Sequence, residues 1–128
     1  MSEYKEDEVV LCAANGYNKK FYLNDSFSEL PENIKDELQI MCVLYTEDVG
    51  GILELVYNED GELEFRTSCE ENDFFYDEIG SVLKIKQYRS QKMDLLEALE
   101  TYYKVRFLGI PAEDLLDEAQ KSRYQEEE

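Results

Sequence analysis

The spacing of apolar residues changes along this chain, and each change marks an element. From Val9 to Ala14 the residues are apolar on both parities, meet turn residues at Asn15-Gly16, and resume from Lys19 to Leu23. That pattern predicts a β-hairpin whose first strand is central and buried on both sides, with Asn-Gly favouring a tight turn. Pro31 suits the first turn of a helix and Gly50-Gly51 its far end. Between them Ile34, Leu38, Met41, Cys42, Tyr45 and Val49 form one continuous helical face, which Ile40, Val43 and Leu44 widen. The helix 31–49 is therefore expected to be the best buried. Leu53, Leu55 and Tyr57 then alternate, as do Leu63, Phe65 and Thr67 beyond Asn58-Glu59-Asp60-Gly61, which predicts a half-buried hairpin. Matching the apolar faces requires paired residue numbers that sum to 120. The loop is then the three residues Glu59-Asp60-Gly61, with Gly61 in the left-handed conformation of a bulge.

Asp73 is placed to cap a helix whose core side is Phe75, Ile79, Val82 and Leu83. The run Leu83-Lys84-Ile85-Lys86 also alternates, so the stretch 82–88 reads either as helix or as a fifth strand. Ser90 offers a second cap, and Leu95, Leu96, Leu99, Tyr102, Tyr103 and Phe107 define a helix over 90–108 that ends before Gly109. A short helix opens at Pro111 with Leu115, Leu116 and Ala119, and the tail Gln125-Glu126-Glu127-Glu128 is expected to fray. The order hairpin, helix, hairpin, helices predicts one α+β domain: an antiparallel sheet of four or five strands with helices on one face. Residues 1–8 read as an acidic extension, 9–108 as the domain, and 109–128 as a short helix with an acidic tail. Gly16 precedes Pro31 by much the same interval as Gly61 precedes Asp73, which suggests a doubled ββα unit.

Composition narrows the picture. The 128 residues include 31 acidic, 13 basic and no histidine side chains, a formal charge of −18. So lopsided a charge raises disorder as a rival, but Leu, Ile, Val and Phe make up 34 of the 128 residues. That is above the roughly 20% below which strongly charged chains stay unfolded. No apolar run approaches the ~18 residues that span a bilayer, and MSEYKEDE is acidic where a secretory signal is basic and then apolar. Three widely spaced cysteines, Cys12, Cys42 and Cys69, fit reduced thiols, so a cytoplasmic location is expected. A field this negative repels nucleic-acid backbones and anionic lipid, so neither direct nucleic-acid binding nor membrane binding is expected.

The stretches VLCAANGYNKKFYL, LPENIKDELQIMCVLYTEDVGGIL and YDEIGSVLKIKQ resemble a family of small acidic proteins of anaerobic Gram-positive bacteria, a domain of unknown function. The resemblance covers about residues 9–108. It implies a bacterial, cytoplasmic source and carries over no catalytic or binding residue.

Candidate chemistry is sparse. Without histidine there is no Ser-His-Asp or Cys-His pair and no imidazole zinc site, and neither GxGxxG nor GxxxxGK[ST] occurs. Cys12 and Cys42 lie in apolar surroundings and Glu70 and Glu71 follow Cys69, so all three read as small buried hydrophobes, not activated thiols. The densest carboxylates, Glu70, Glu71, Asp73, Asp77 and Glu78, flank Phe74, Phe75 and Tyr76 without EF-hand spacing. They read as solvated surface and helix capping, with partner contact or a metal as the alternatives. Lys84, Lys86, Arg89, Lys92, Lys104 and Arg106, interleaved with Tyr88, Tyr102 and Tyr103, form the only net-positive segment. Their expected role is to answer acids of the same fold, with a protein interface or an anionic ligand as alternatives. The leading functional expectation is a non-enzymatic protein-interaction module without cofactor or metal, an unknown protein as partner and a homodimer as one form of it. Tyr88, Tyr102, Tyr103, Glu70, Glu71, Asp73 and Asp77 are the candidate contact residues, with Tyr102 and Tyr103 as exposed anchors. An acidic decoy that imitates nucleic acid is the second expectation, and a carboxylate hydrolase built on Glu70 to Glu78 the least favoured.

Overall fold

The computed structural model describes residues 7–115. Leu116, Ala119, the acidic tail and all but the end of the acidic extension lie outside them. Four strands, β1 (Val9–Asn15), β2 (Lys20–Leu23), β3 (Ile52–Tyr57) and β4 (Leu63–Ser68), form one antiparallel sheet in the order β2-β1-β3-β4. Three main helices, α1 (Glu32–Val49), α2 (Glu78–Gln91) and α3 (Met93–Arg106), complete a single α+β domain, and residues 112–115 are helical, where a short helix is expected to open at Pro111. The two hairpins meet through β1 and β3, which pair antiparallel at the centre of the sheet.

Both hairpins form where the sequence predicts them, but their turns differ. In β3–β4 the pairs Leu53 with Thr67 and Leu55 with Phe65 give the expected register, and Gly61 has φ +83°. Asn58 closes that loop by accepting from the amides of Asp60 and Glu62. In β1–β2 the last pair is Asn15 with Lys20, so four residues intervene where Asn-Gly favours two. The wider turn lets the Gly16 amide donate to the Gly51 carbonyl at 2.8 Å, tying the first hairpin to the start of β3. A register shift at Leu11, between Val10 and Cys12, lets Leu11 and Cys12 both be buried although they are adjacent.

The core lies between the sheet and the helices, which pack on its Cys12, Ala14, Leu53, Leu55 and Tyr57 face. From α1 come Leu38, Met41, Cys42, Tyr45 and Val49, all buried, as the period predicts. Ile40 and Leu44, expected to widen that face, are instead exposed: they lie on the flank of α1 beyond the sheet. The Cys12 and Cys42 sulfurs stand 3.9 Å apart in this core, and their mutual hydrogen bond with burial holds the Cys12 thiol well above its usual pKa. Cys69, expected to be buried, is exposed just past β4.

Helix α3 is anchored by aromatic packing. Tyr103 stacks on Tyr57 with centroids 4.0 Å apart, Phe27 and Phe107 extend the stack, and the Tyr57 hydroxyl donates to the Leu99 carbonyl at 2.8 Å. Ser90 does not cap this helix. It lies inside α2, and Lys92 alone separates α2 from α3.

Candidate functional site

Two of the elements following β4 differ from expectation, and their difference defines the candidate site. The segment 82–88 is helical, within α2, and the cap is Asp77, whose Oδ1 accepts from the Gly80 amide at 2.8 Å. Asp73 caps no helix. Its Oδ1 accepts from the Phe75 amide at 2.9 Å, and its Oδ2 accepts from the Tyr17 hydroxyl at 2.6 Å. Tyr17 in turn accepts from the Glu70 amide at 2.8 Å, so the first hairpin turn holds the loop between β4 and α2.

That loop is held again at Tyr76. Its hydroxyl lies 3.1 Å from both Tyr45 Oη and Ser81 Oγ, which are themselves 2.7 Å apart. Burial pushes the Tyr45 phenol well above its usual pKa, so it stays protonated in this trio. The Asp77 amide then donates to the Val49 carbonyl at 3.2 Å. Phe74 and Phe75 sit between these fixed points, 91% and 95% exposed.

The same inversion continues along α2. Its buried side is Ser81 and Tyr88, with Ile85 packed partly against the core. At about 100° per residue, the residues opposite Ser81 are Ile79, Leu83, Lys86 and Ser90, with Val82 on the flank. Ile79, Val82 and Leu83 are 77%, 67% and 61% exposed, so the predicted core side of this helix faces out. Five large apolar side chains are therefore held at the surface by a fixed loop and one helix, beside the carboxylates of Glu70, Glu71, Asp77 and Glu78. Isolated exposed apolar residues are ordinary, but five large ones within ten residues are not.

A groove of about 610 Å³ runs between α1 and α2, lined by Ile40, Met41, Leu44, Gln87 and Tyr88 among others. Two ion pairs bridge it, Lys84 to Asp48 at 2.6 Å and Lys92 to Glu37 at 3.1 Å.

The residues expected to make contact fall into two groups. Tyr88 and Tyr103 are buried, and the Tyr88 hydroxyl donates to the Met41 carbonyl at 3.1 Å. Tyr102 is half-buried against Phe27 and Phe107, its hydroxyl without a hydrogen-bond partner among the described residues. The expectation of exposed tyrosine anchors is thus corrected: these rings fill space under α2 and α3. Glu70, Glu71 and Asp77 are exposed and Asp73 half-buried, all near the apolar group. Among the described residues no three His, Cys, Asp or Glu side chains are arranged to hold a metal ion. Of the six cations, Lys84, Lys92 and Arg106 pair with Asp48, Glu37 and Glu29, and Arg89 lies over the Phe65 ring. Lys86 is exposed and makes no ion pair among the described residues. Four of the five exposed apolar residues, Phe75, Ile79, Val82 and Leu83, are expected from sequence in the core because their periodicity is assigned to it. The usable signal was the competing face Ser81, Ile85, Tyr88, which reaches the end of the helix, whereas the Ile79 face gives way to Lys86 and Ser90.

The molecule is thus a small α+β domain displaying an apolar helix face beside a carboxylate-rich loop. Residues 8–111 match a family of unknown function, DUF6145, and the chain belongs to that family. No curated protein and no solved structure matches it. Among the described residues, no helix is long and apolar enough to cross a membrane.

Proposed function

We propose that the domain is a non-enzymatic protein-interaction module that binds through the outward face of α2 and the loop before it. The observation that supports this reading is the exposure of Phe74, Phe75, Ile79, Val82 and Leu83 on a segment fixed by Tyr17, Tyr76 and Asp77. Fixing the loop in advance lowers the ordering cost of binding, and aromatic side chains supply large contact area at small entropic cost. The carboxylates around the apolar group form a polar rim, as interfaces have. A cytoplasmic setting belongs to the same proposal, supported by three free cysteines.

The test is a photo-reactive amino acid at Phe75, with the same group at exposed Glu97 on α3 as the control, in the cell that makes the protein. A discrete cross-linked protein band from position 75, absent from position 97, is the expected result. No band from position 75 overturns the reading.

A further inference from the structure

We propose that the partner of this face is a second copy of the chain, docked α2 against α2, antiparallel, about a two-fold axis between Val82 and Leu83. This rests on the interaction reading above and names its partner. The argument is the distribution of charge along the face. Its centre is Ile79, Val82 and Leu83; Glu78 stands at the N-terminal end on the Val82 flank, and Lys86 at the C-terminal end, with Arg89 also on that flank. A two-fold contact presents the same patch from both sides, so residue i meets j and j meets i. With the axis at Val82–Leu83, Ile79 of each copy lies against Lys86 of the other, and Glu78 lies on the same flank as that Lys86.

The same charges disfavour other occupants. A basic partner would be drawn by the −18 field but would meet Lys86 inside the apolar stripe. An acidic partner needs a cation on this face, and the protein's own second copy is acidic at the matching position. The size also suits: at about 200 Å² per ring the two phenylalanines alone expose roughly 400 Å² per copy. A standard interface takes ~800 Å² from each partner, and Ile79, Val82 and Leu83 contribute the rest. At about 1.5 Å per residue α2 is roughly 21 Å long, so the Phe74–Phe75 loop of each copy comes over the C-terminal half of the other's helix.

Sedimentation equilibrium of the full chain across micromolar to millimolar concentration tests this. A monomer–dimer equilibrium is expected, with Leu83→Glu monomeric throughout while its circular dichroism and melting at low concentration stay native. Glu78→Lys and Lys86→Glu are each expected to weaken the dimer roughly tenfold, and the double exchange to recover most of that loss. A wild-type monomer at every concentration overturns the proposal, as does a dimer indifferent to Leu83→Glu or a double exchange no better than the singles. The photo-cross-link at Phe75 separates the two readings. A bond to a different protein from a monomeric chain leaves the interaction module standing and removes self-association, whereas no bond at all removes both.

Discussion

Gly51 carries much of the order of the loop ahead of α2. Its φ is +70°, and a Cβ there would stand 2.6 Å from the Ser68 carbonyl oxygen and 2.7 Å from Tyr76 Cε1. The first neighbour is β4 backbone and cannot swing aside. Gly51→Ala is expected to cost about 1–3 kcal/mol in urea unfolding, and to speed amide exchange at Phe75 and Tyr76 as the ring is displaced. An unchanged midpoint with unchanged exchange would show that the contact is slack. Glu64 illustrates a charge effect at the same scale. Hydrogen bonds from Arg66 and Asn58 hold its carboxyl below the usual range, and Arg66 also pairs with Glu8. A folded-state pKa below the unfolded one contributes stability that is full above the unfolded value, near 4.3, and is lost as pH falls through the folded value. Because the side chain is 43% exposed, solvent screening limits the effect to at most ~1 kcal/mol. Glu64→Gln should therefore melt below wild type at pH 7 and converge with it as pH falls through the lowered folded-state value. Equal melting at pH 7 would remove Glu64 from the account. The left-handed Gly61 was legible in the sequence, because strand pairing on one face dictates the loop length. The demand on Gly51 was not, since it comes from the Ser68 carbonyl and the Tyr76 ring, both remote in sequence.

Among the elements, α1 and α2 differ in what apolar periodicity means. In α1 the apolar face reaches along the whole helix and covers the sheet, so Met41, 2% exposed, is central to the core. Met41→Asp should abolish cooperative unfolding, since an unpaired buried charge costs several of the roughly 5–15 kcal/mol available. Near-native melting would show that α1 is not the element that organises the core. In α2 an equally apolar set faces solvent, so Ile79→Gln and Val82→Thr should each shift stability by less than about 0.5 kcal/mol when measured at high dilution. A loss as large as that expected for a core position would mean that this face is packed. The reason sequence reasoning could read α1 and not α2 is physical. A period shows that apolar residues share a face, while what covers that face is decided by neighbours. The sheet has room for α1 across β1 and β3, and α2, held by Tyr45, Ser81 and Tyr76 at one end and Tyr88 at the other, buries only a narrow strip. Tyr102 and Tyr103, expected as exposed anchors because tyrosines are plentiful, share the apolar face of α3 with Leu95 and Leu99, and that face is the one that packs, around Phe27 and Phe107.

For the molecule as a whole, the −18 charge sets how any contact responds to salt. The basic residues do not form a free patch: Lys84, Lys92 and Arg106 are paired with acids of the same fold. The protein should accordingly leave duplex DNA unshifted at physiological ionic strength, and salt-dependent micromolar binding would contradict that. The sharper question is which surface holds a protein partner. Two acidic copies repel at long range, and added salt shortens that reach from about 10 Å at 0.1 M to about 3 Å at 1 M. Contact through Phe75 and Leu83 should thus tighten or hold steady as salt rises, and Phe75→Ala should weaken it strongly, because binding energy concentrates in a few desolvated aromatic anchors. A decoy that imitates phosphates would behave oppositely: its affinity would fall steadily with salt and with amide replacement of Glu70, Glu71, Asp73 and Asp77, and Phe75→Ala would be nearly silent. At 77 the amide separates charge from structure, since an asparagine oxygen still accepts from the Gly80 amide, whereas at 73 its single oxygen keeps the Phe75 amide and its NH2 faces the Tyr17 hydroxyl, so that replacement is read together with the melting temperature. Affinity measured across a salt series with both sets of variants decides between them, and a steep loss with salt together with indifference to Phe75 would sink the apolar-face reading.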